Sequence, residues 1–346
     1  MNISVVIPVH NSVPYLDHCL ATVLPQLNNN DEVLLLENGS TDESWNLCEQ
    51  YAAKDERIHA VNLGPCGVSS ARNEGIRLAG SDWVTFVDSD DYLAENALDR
   101  AHYWSEQDSA DILCLDFLPT DGDGNVIEND SPAHRSFEKQ LQVPPDLLVK
   151  SALRYAYYRN QAESYGFSHT TIWTCWAKFF RTSFLRENNI LFPDDLMLCE
   201  DTFFMVHSYL KAKYVISFPD KIYRYRTNEN SVSRKLHPRQ LENNRKLRKL
   251  MYDLMRREDT DRTYRQELAV FLTRIFIEEG IYIKASGIFN RDEAINYTRD
   301  AMKELYMKIA VKRTGYSKLI AGKKNSLTYG YVLWCLKHRK ERLYFK

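Results

Sequence analysis

The first ninety residues alternate short apolar runs with amphipathic segments, and that alternation restricts the fold more than any other feature. Ile3-Ser4-Val5-Val6-Ile7 is an apolar, β-rich run ended by Pro8, the pattern of a strand buried on both faces. Glu32–Leu36, Ile58–Val61 and Trp83–Val87 repeat it. Between them, Pro14–Leu27 sets Leu16, Leu20, Val23, Leu24 and Leu27 at helical spacing. Ser40-Thr41-Asp42-Glu43 puts a capping residue ahead of acids, as at a helix start, and Gly67–Ala79 reads as a further helix. Strand and helix alternating at this interval predict an α/β fold with a mostly parallel sheet covered on both faces.

Ligands of such sheets bind beyond the carboxyl ends of the strands. The segments there are Pro8-Val9-His10-Asn11, Glu37-Asn38-Gly39-Ser40 and Asp88-Ser89-Asp90-Asp91. Three carboxylates within four residues repel one another, and holding them together at a strand end costs free energy unless a cation compensates. Mg²⁺ and Mn²⁺ accept carboxylate and phosphate oxygens together, so a diphosphate beside the loop would complete the shell. The competing reading is a solvated acidic turn capping the next helix; the long β-rich run before it favours the site. A second acidic centre is Leu198-Cys199-Glu200-Asp201-Thr202. Acids there suit the first turn of a helix. They also suit a general base, and the two readings are compatible because a helix start holds a carboxylate rigidly.

The rest of the chain sets limits. A net charge of −2 over 346 residues argues against non-specific nucleic-acid binding. The 7 cysteines are scattered without the spacing of a zinc or redox motif, which points to a reducing compartment. With no signal-like N-terminus and no window approaching the ~20 apolar residues of a membrane span, a cytoplasmic protein is expected. Asp121-Gly122-Asp123-Gly124-Asn125 reads as a hairpin tip; it lacks the later glutamate of a calcium loop. From about Pro238 the pattern is helical, at roughly 238–257, 264–285, 290–308 and 326–342. This predicts one domain over 1–235 and a helical extension over 236–346. The extension is rich in Lys and Arg (Lys308, Lys312, Arg313, Lys337, Arg339, Lys340) interleaved with Tyr329, Tyr331 and Trp334. Such a surface suits peripheral contact with an anionic membrane, phosphates of an acceptor, or an ordinary solvated face.

Four ordered segments carry a resemblance: Ile3–Asn11, Leu36–Ser44, Gly67–Gly75 (Gly-Val-Ser-Ser-Ala-Arg-Asn-Glu-Gly) and Phe86–Leu93 (Phe-Val-Asp-Ser-Asp-Asp-Tyr-Leu). In order and spacing they resemble glycosyltransferase family 2, with its GT-A fold, over roughly residues 1–235. The arrangement is similar to bacterial enzymes that build lipopolysaccharide cores, capsules or exopolysaccharides. The resemblance implies an inverting transfer of sugar from a nucleoside diphosphate, UDP by preference, to a glycan or lipid-linked glycan acceptor, with Mn²⁺ or Mg²⁺ as cofactor.

It also implies roles. Pro8, Val9, His10 and Asn11 would line the nucleotide pocket with Glu37, Asn38, Arg72 and Ser89. Asn38 stands where the family usually has an aspartate that reads uracil; a carboxamide can accept or donate, so cytosine is open too. Arg72 would approach the base, or else pair with a carboxylate. Asp90 would bind the metal and Asp88 the ribose or a metal-bound water, with Asp91 a further candidate for that shell. Asp201 would be the general base, with Glu200 second. Trp173, Trp176 and Lys178 resemble the segment between donor and acceptor, with Trp176 either stacking on a sugar or sitting in the core, and Lys178 or Arg181 meeting phosphate. Arg226, Ser231 and His237 resemble a basic loop that closes on the diphosphate. Two rivals use similar folds. A sugar nucleotidyltransferase would want a Gly-rich basic loop where Pro8–Ser12 has no Gly, Lys or Arg. A non-catalytic glycan-binding protein would have no use for intact Asp88, Asp90 and Asp201.

Overall fold

The computed structural model describes residues 2–106, 110–121, 124–127, 140–165, 167, 170–227, 239–314 and 326–340. The chain divides into two compact units, Met1–Leu148 with Gln161–Lys235, and Val149–Asn160 with Leu236–Lys346.

The first unit is built on one sheet. Strands β1 (Ile3–Val9), β2 (Glu32–Glu37), β3 (Ile58–Asn62) and β4 (Trp83–Phe86) run parallel in the order β3-β2-β1-β4. Every residue of β1 is buried, as its apolar run requires of a central strand. The chain moves outward from β1 to β3 and then returns to lay β4 on the other side of β1. That reversal opens a crevice between the carboxyl ends of β1 and β4, the place where ligands enter such sheets. Beyond β4 the pairing becomes mixed. β8 (Lys178–Arg181) is antiparallel to β4 and to β6 (Ile112–Thr120). β6 runs parallel to the long β9 (Val215–Arg226), which also pairs antiparallel with β5 (Tyr92–Leu93) and β7 (Leu141–Val143).

Helices α1 (Val13–Val23), α2 (Ser44–Ala52), α3 (Val68–Leu78), α4 (Ala97–Glu106), α5 (Pro145–Ser164), α6 (Thr182–Glu187) and α7 (Glu200–Lys211) complete the elements up to β9. The helix expected from Ser40 starts later, at Ser44. Asp42 instead accepts from the backbone N–H groups of Ser44 (3.0 Å) and Val13 (3.3 Å), tying the β2 exit to α1. α5 is broken at Arg154. The turn at Asp121 is closed by the Asn125 N–H donating to the Asp121 carboxylate (2.8 Å) and by a bridge between Thr120 and Val126.

In the second unit, α8 (Gln240–Glu258) and α9 (Arg265–Ser286) follow the expected spans. The stretch expected as one helix over 290–308 is two, α10 (Arg291–Ala301) and α11 (Leu305–Arg313). Glu304, in extended conformation, caps the second of them. In sequence Ala301, Leu305 and Ile309 stay four apart across the break, so periodicity alone cannot see it. Asn290 caps α10 with a reciprocal capping box to Glu293, and Gly287 ends α9 in left-handed conformation. α12 (Ser326–Lys337) ends the described helices short of the expected 342. Arg248 and Glu279, both fully buried, form an ion pair inside this unit, with Phe276 under the guanidinium. Among the described residues no helix is long and apolar enough to cross a membrane.

One contact in the first unit positions the later chemistry. A Cβ at Gly75 would collide with both methyl groups of Val6, so α3 lies directly on β1. Gly75→Ala should therefore lower stability by ~1–3 kcal/mol. Thermal unfolding checks this, and an unchanged Tm would show that the helix can lift off without cost.

Candidate active site

The loop after β4 sorts its three aspartates. The Asp91 N–H donates to the Asp88 carbonyl (2.9 Å), which turns the chain sharply. Tyr223, from β9, donates its hydroxyl to Asp91 Oδ2 (2.7 Å) and accepts the Asp88 N–H (3.1 Å). The Arg226 N–H donates to Asp91 Oδ1 (2.8 Å). Asp91 is thus buried with both oxygens engaged, and burial with the charges of Asp88 and Asp90 pushes its carboxyl far above the usual range. It braces the loop and does not face a ligand, a correction to its candidacy for the metal shell. Asp88 and Asp90 remain partly open. Burial, then the Asp88 charge, raises Asp90 to about 6. The Arg226 side chain holds the same loop, donating from Nε to the Asp90 carbonyl (2.9 Å), hydrogen-bonding His18 Nδ1 (2.8 Å) and lying over the rings of Tyr15 and Tyr92.

Across the crevice, the ends of β1 and β2 are stitched together. The Asn38 N–H donates to the Val9 carbonyl (3.0 Å), and His10 Nδ1 lies 3.1 Å from the Asn38 carbonyl. Asn11, in left-handed conformation, accepts the Thr41 N–H (2.8 Å) on its carboxamide while its own N–H donates to Ser40 Oγ (3.0 Å). Glu37 accepts the Ser40 N–H (2.5 Å), so this buried carboxylate shapes the turn. The Asn38 side chain, also buried, makes no hydrogen bond among the described residues. Its amide atoms keep access to solvent, so the group is available to a ligand without being stranded. Pro8 and Val9 are buried within β1, Val9 inside the hydrophobic core, so these two present backbone rather than side chain. Ser89 Oγ meets Ser12 Oγ at 2.7 Å, joining the two walls.

Arg72 connects this crevice to the second acidic centre. It lies on α3 one turn before Gly75, and its side chain is 4% exposed. Nη2 donates to Asp88 Oδ1 (2.8 Å); Nη1 donates to Asp201 Oδ1 (2.8 Å) and Glu200 Oε1 (3.1 Å). The guanidinium stacks over Phe192 at 5.3 Å. Glu200 and Asp201 open α7 directly after Cys199, whose φ of 66° aims the helix start inward. Asp201 Oδ2 also accepts the Cys175 N–H (3.3 Å). Burial pushes the Asp201 carboxyl up against the opposing pull of Arg72. Burial, then the Asp201 charge, brings Glu200 to about 7. Of the two sequence readings of Arg72, the ion pair is the one the geometry displays, and it has three partners rather than one.

A strand-end aspartate pair, a free buried carboxamide and a carboxylate at a helix start thus lie around one crevice. The model of a family described as "Glycosyl transferase family 2" matches residues 4–185. The chain belongs to that family. Among curated relatives it is 29% identical over 233 residues to the uncharacterized glycosyltransferase EpsJ of Bacillus subtilis, covering 67% of this chain and 62% of EpsJ. It is 30% identical over 231 residues to a poly(ribitol-phosphate) beta-glucosyltransferase of Bacillus spizizenii, covering 65% of this chain and 32% of that enzyme. The chain thus spans well under the full length of both. Among solved structures, S. aureus TarS in complex with UDP-GlcNAc superposes with a TM-score of 0.67 at 20% identity, covering 98% of this chain and 93% of that one, which establishes a shared fold.

Family membership leaves the individual side chains to geometry, which corrects two expectations. Trp176 is a core residue, stacked on Tyr223 (4.7 Å) and Tyr225 (5.7 Å) and edge-on to Phe117, so it offers no face to a sugar. Lys178 is fully buried, donates to the Thr174 carbonyl (2.7 Å) and has its ammonium pKa lowered by burial, so it does not meet phosphate. Trp173 is only half-buried. Ser231 and His237 lie outside the described residues. Sequence reasoning assigned no role to Phe192 or the Cys175 N–H, and it placed Tyr223 only in the segment near the diphosphate, not as a partner of Asp91. Each acts across more than 25 residues of chain, and no local pattern marks them.

Arg72→Met removes the one guanidinium among three carboxylates, and breaking a buried pair this way costs about 3–5 kcal/mol. The sign with pH follows. A carboxyl raised to about 7 in the folded protein binds its proton more tightly than when unfolded, so folding loses stability as pH rises from about 4.5 toward 7. Without Arg72 that rise steepens. The Tm deficit of Arg72→Met should be larger at pH 8 than at pH 5.5; equal deficits would argue against carboxylate repulsion as the cause.

Proposed function

We propose that the chain is an inverting glycosyltransferase that takes a sugar from a nucleoside-diphosphate donor, a UDP-sugar by preference, to a saccharide acceptor in bacterial surface polysaccharide synthesis. The observation that carries this reading is Arg72 holding Asp88, from the strand-end loop, and Asp201, from the start of α7, in one site. A donor loop and a base must lie side by side for a single displacement. The relatives named for glucosyl and N-acetylglucosaminyl transfer to poly(ribitol-phosphate), and TarS crystallised with UDP-GlcNAc, support the class of donor.

The Asn38 carboxamide would pair with the edge of the base, where it can accept from uracil N3–H or donate to a pyrimidine carbonyl. Asp88 and Asp90 suit a divalent ion carried in with the diphosphate. Among the described residues no group of three or more His, Cys, Asp or Glu is placed to hold a metal alone. Two carboxylates plus substrate phosphates is how Mg²⁺ is commonly bound. Once bound, Mn²⁺ or Mg²⁺ neutralises charge on the departing nucleoside diphosphate. Asp201 receives the proton of the acceptor hydroxyl while that oxygen bonds to the anomeric carbon. The bond from carbon to the diphosphate oxygen breaks with its electron pair, and the anomeric centre inverts. Its raised pKa brings the base closer to neutrality, where proton transfer is more efficient.

With Mn²⁺ and a panel of UDP-sugars, the purified protein should release UDP by slow hydrolysis without acceptor. Failure to bind any nucleotide in calorimetry, with or without metal, would sink this reading. Asp201→Asn should lower transfer by about 10²–10⁴-fold at unchanged UDP affinity. Asp90→Ala should abolish the metal dependence of nucleotide binding, and a full transfer rate in Asp201→Asn would move the base elsewhere.

The same reading places the protein in the cytoplasm at the inner face of the membrane where acceptors are made. Leu305, Tyr331 and Trp334 are exposed at 69%, 45% and 42%, on helices that also carry Lys308, Lys312 and Lys337. Apolar and basic groups together suit an anionic bilayer. Co-sedimentation with phosphatidylglycerol vesicles but not phosphatidylcholine ones is the expected outcome.

A further inference from the structure

Within the helical unit, α8, α9 and α11 enclose a pocket of about 420 Å³. That is the size of a small-molecule site. Arg256, Arg262, Arg265 and Arg313, all exposed, are part of its lining. Among the described residues none of these four guanidinium groups has an ion-pair partner. The one acid in the lining, Asp259, is already engaged, its two oxygens accepting the N–H groups of Thr263 (2.8 Å) and Tyr264 (2.9 Å) ahead of α9. Arg256 and Arg313 sit in the last turns of α8 and α11, where a cation is favoured for the helix alone. Arg265 is different. It is the first residue of α9, where the positive helix end disfavours a cation unless an anion lies between. The floor is apolar, made by Met255, Leu268, Leu272 and Ile309, and one wall is the stacked pair Tyr252 and Tyr306, 5.1 Å apart.

We infer that this pocket binds a phosphate ester of a sugar or polyol. The four arginines lining the pocket are exposed and solvated, but together they outnumber its one engaged carboxylate and so favour an anion, and guanidinium forks match phosphate oxygens two at a time. The tyrosine wall and apolar floor would receive the carbon body, which inorganic phosphate lacks. The inference does not depend on the donor site, which lies in the other unit.

The test is calorimetry on the full chain with glucose 1-phosphate and sn-glycerol 3-phosphate. Inorganic phosphate and glucose serve as controls, and phosphatidylglycerol vesicles form a separate arm. The expected result is binding of at least one ester more tightly than inorganic phosphate, weakening with added salt. The Arg262→Ala/Arg265→Ala double variant should lose about tenfold or more in affinity while unfolding at the wild-type temperature. Arg313→Gln, which leaves α9 untouched, should lose affinity as well and covers the case in which the double variant fails to fold. The inference is overturned if neither ester binds, if both variants bind as wild type, or if inorganic phosphate binds as tightly as the esters. It is equally overturned if the soluble esters fail while vesicle binding depends on these arginines, since the ligand is then a lipid headgroup.

Discussion

Everything around the crevice depends on one buried guanidinium. Arg72 joins the loop after β4 to the first turn of α7 through Asp88, Glu200 and Asp201. Removing these charges from water is expensive, and the arrangement persists because each compensates the others. Three features hold Arg72 there: the Gly75 contact that seats α3 on β1, the Phe192 ring beneath the guanidinium, and the left-handed Cys199 that turns α7 inward. A cation of fixed charge between the carboxylate we propose for the metal and the one we propose as base also ties their electrostatics together. Adding positive charge beside Asp88 would loosen its claim on Arg72 and leave more of that charge for Asp201.

The acidic loop shows how the same residue type takes different fates within four positions. Asp91 is turned inward by Tyr223 and the Arg226 N–H, Asp88 is shared with Arg72, and Asp90 keeps its carboxylate for solvent or a ligand. Repulsion among them is relieved by separating their directions as much as by adding cations. Arg226 contributes through both its backbone N–H, which donates to Asp91, and its side-chain Nε, which donates to the Asp90 carbonyl. It is a brace for the loop in this conformation.

Much of the site was legible. Apolar runs of four or five residues marked β1 through β4, and the rule that ligands gather beyond their carboxyl ends selected the segments 8–11, 37–40 and 88–91, which hold Asn38, Asp88 and Asp90. Motif order pointed to the family. The failures share a cause. Trp176 and Lys178 look like ligand contacts in sequence because an indole and an ammonium usually stay near water; the turn into β8 buries Trp176 beside Tyr223, and β8 itself carries Lys178 inward beside Thr174. The break between α10 and α11 was invisible because apolar spacing continues through it.

By itself the sequence determined the alternation of elements, the central burial of β1 and the clustering of acids at a strand end, because these follow from side-chain periodicity and from chemistry local to a few residues. Only the tertiary structure decided which acid faces the crevice, that Arg72 pairs with carboxylates 16, 128 and 129 positions away, and that four arginines from three helices and a loop share one pocket. Those outcomes depend on distances between segments remote in the chain. A charge in sequence carries no record of the partner that folding will bring to it.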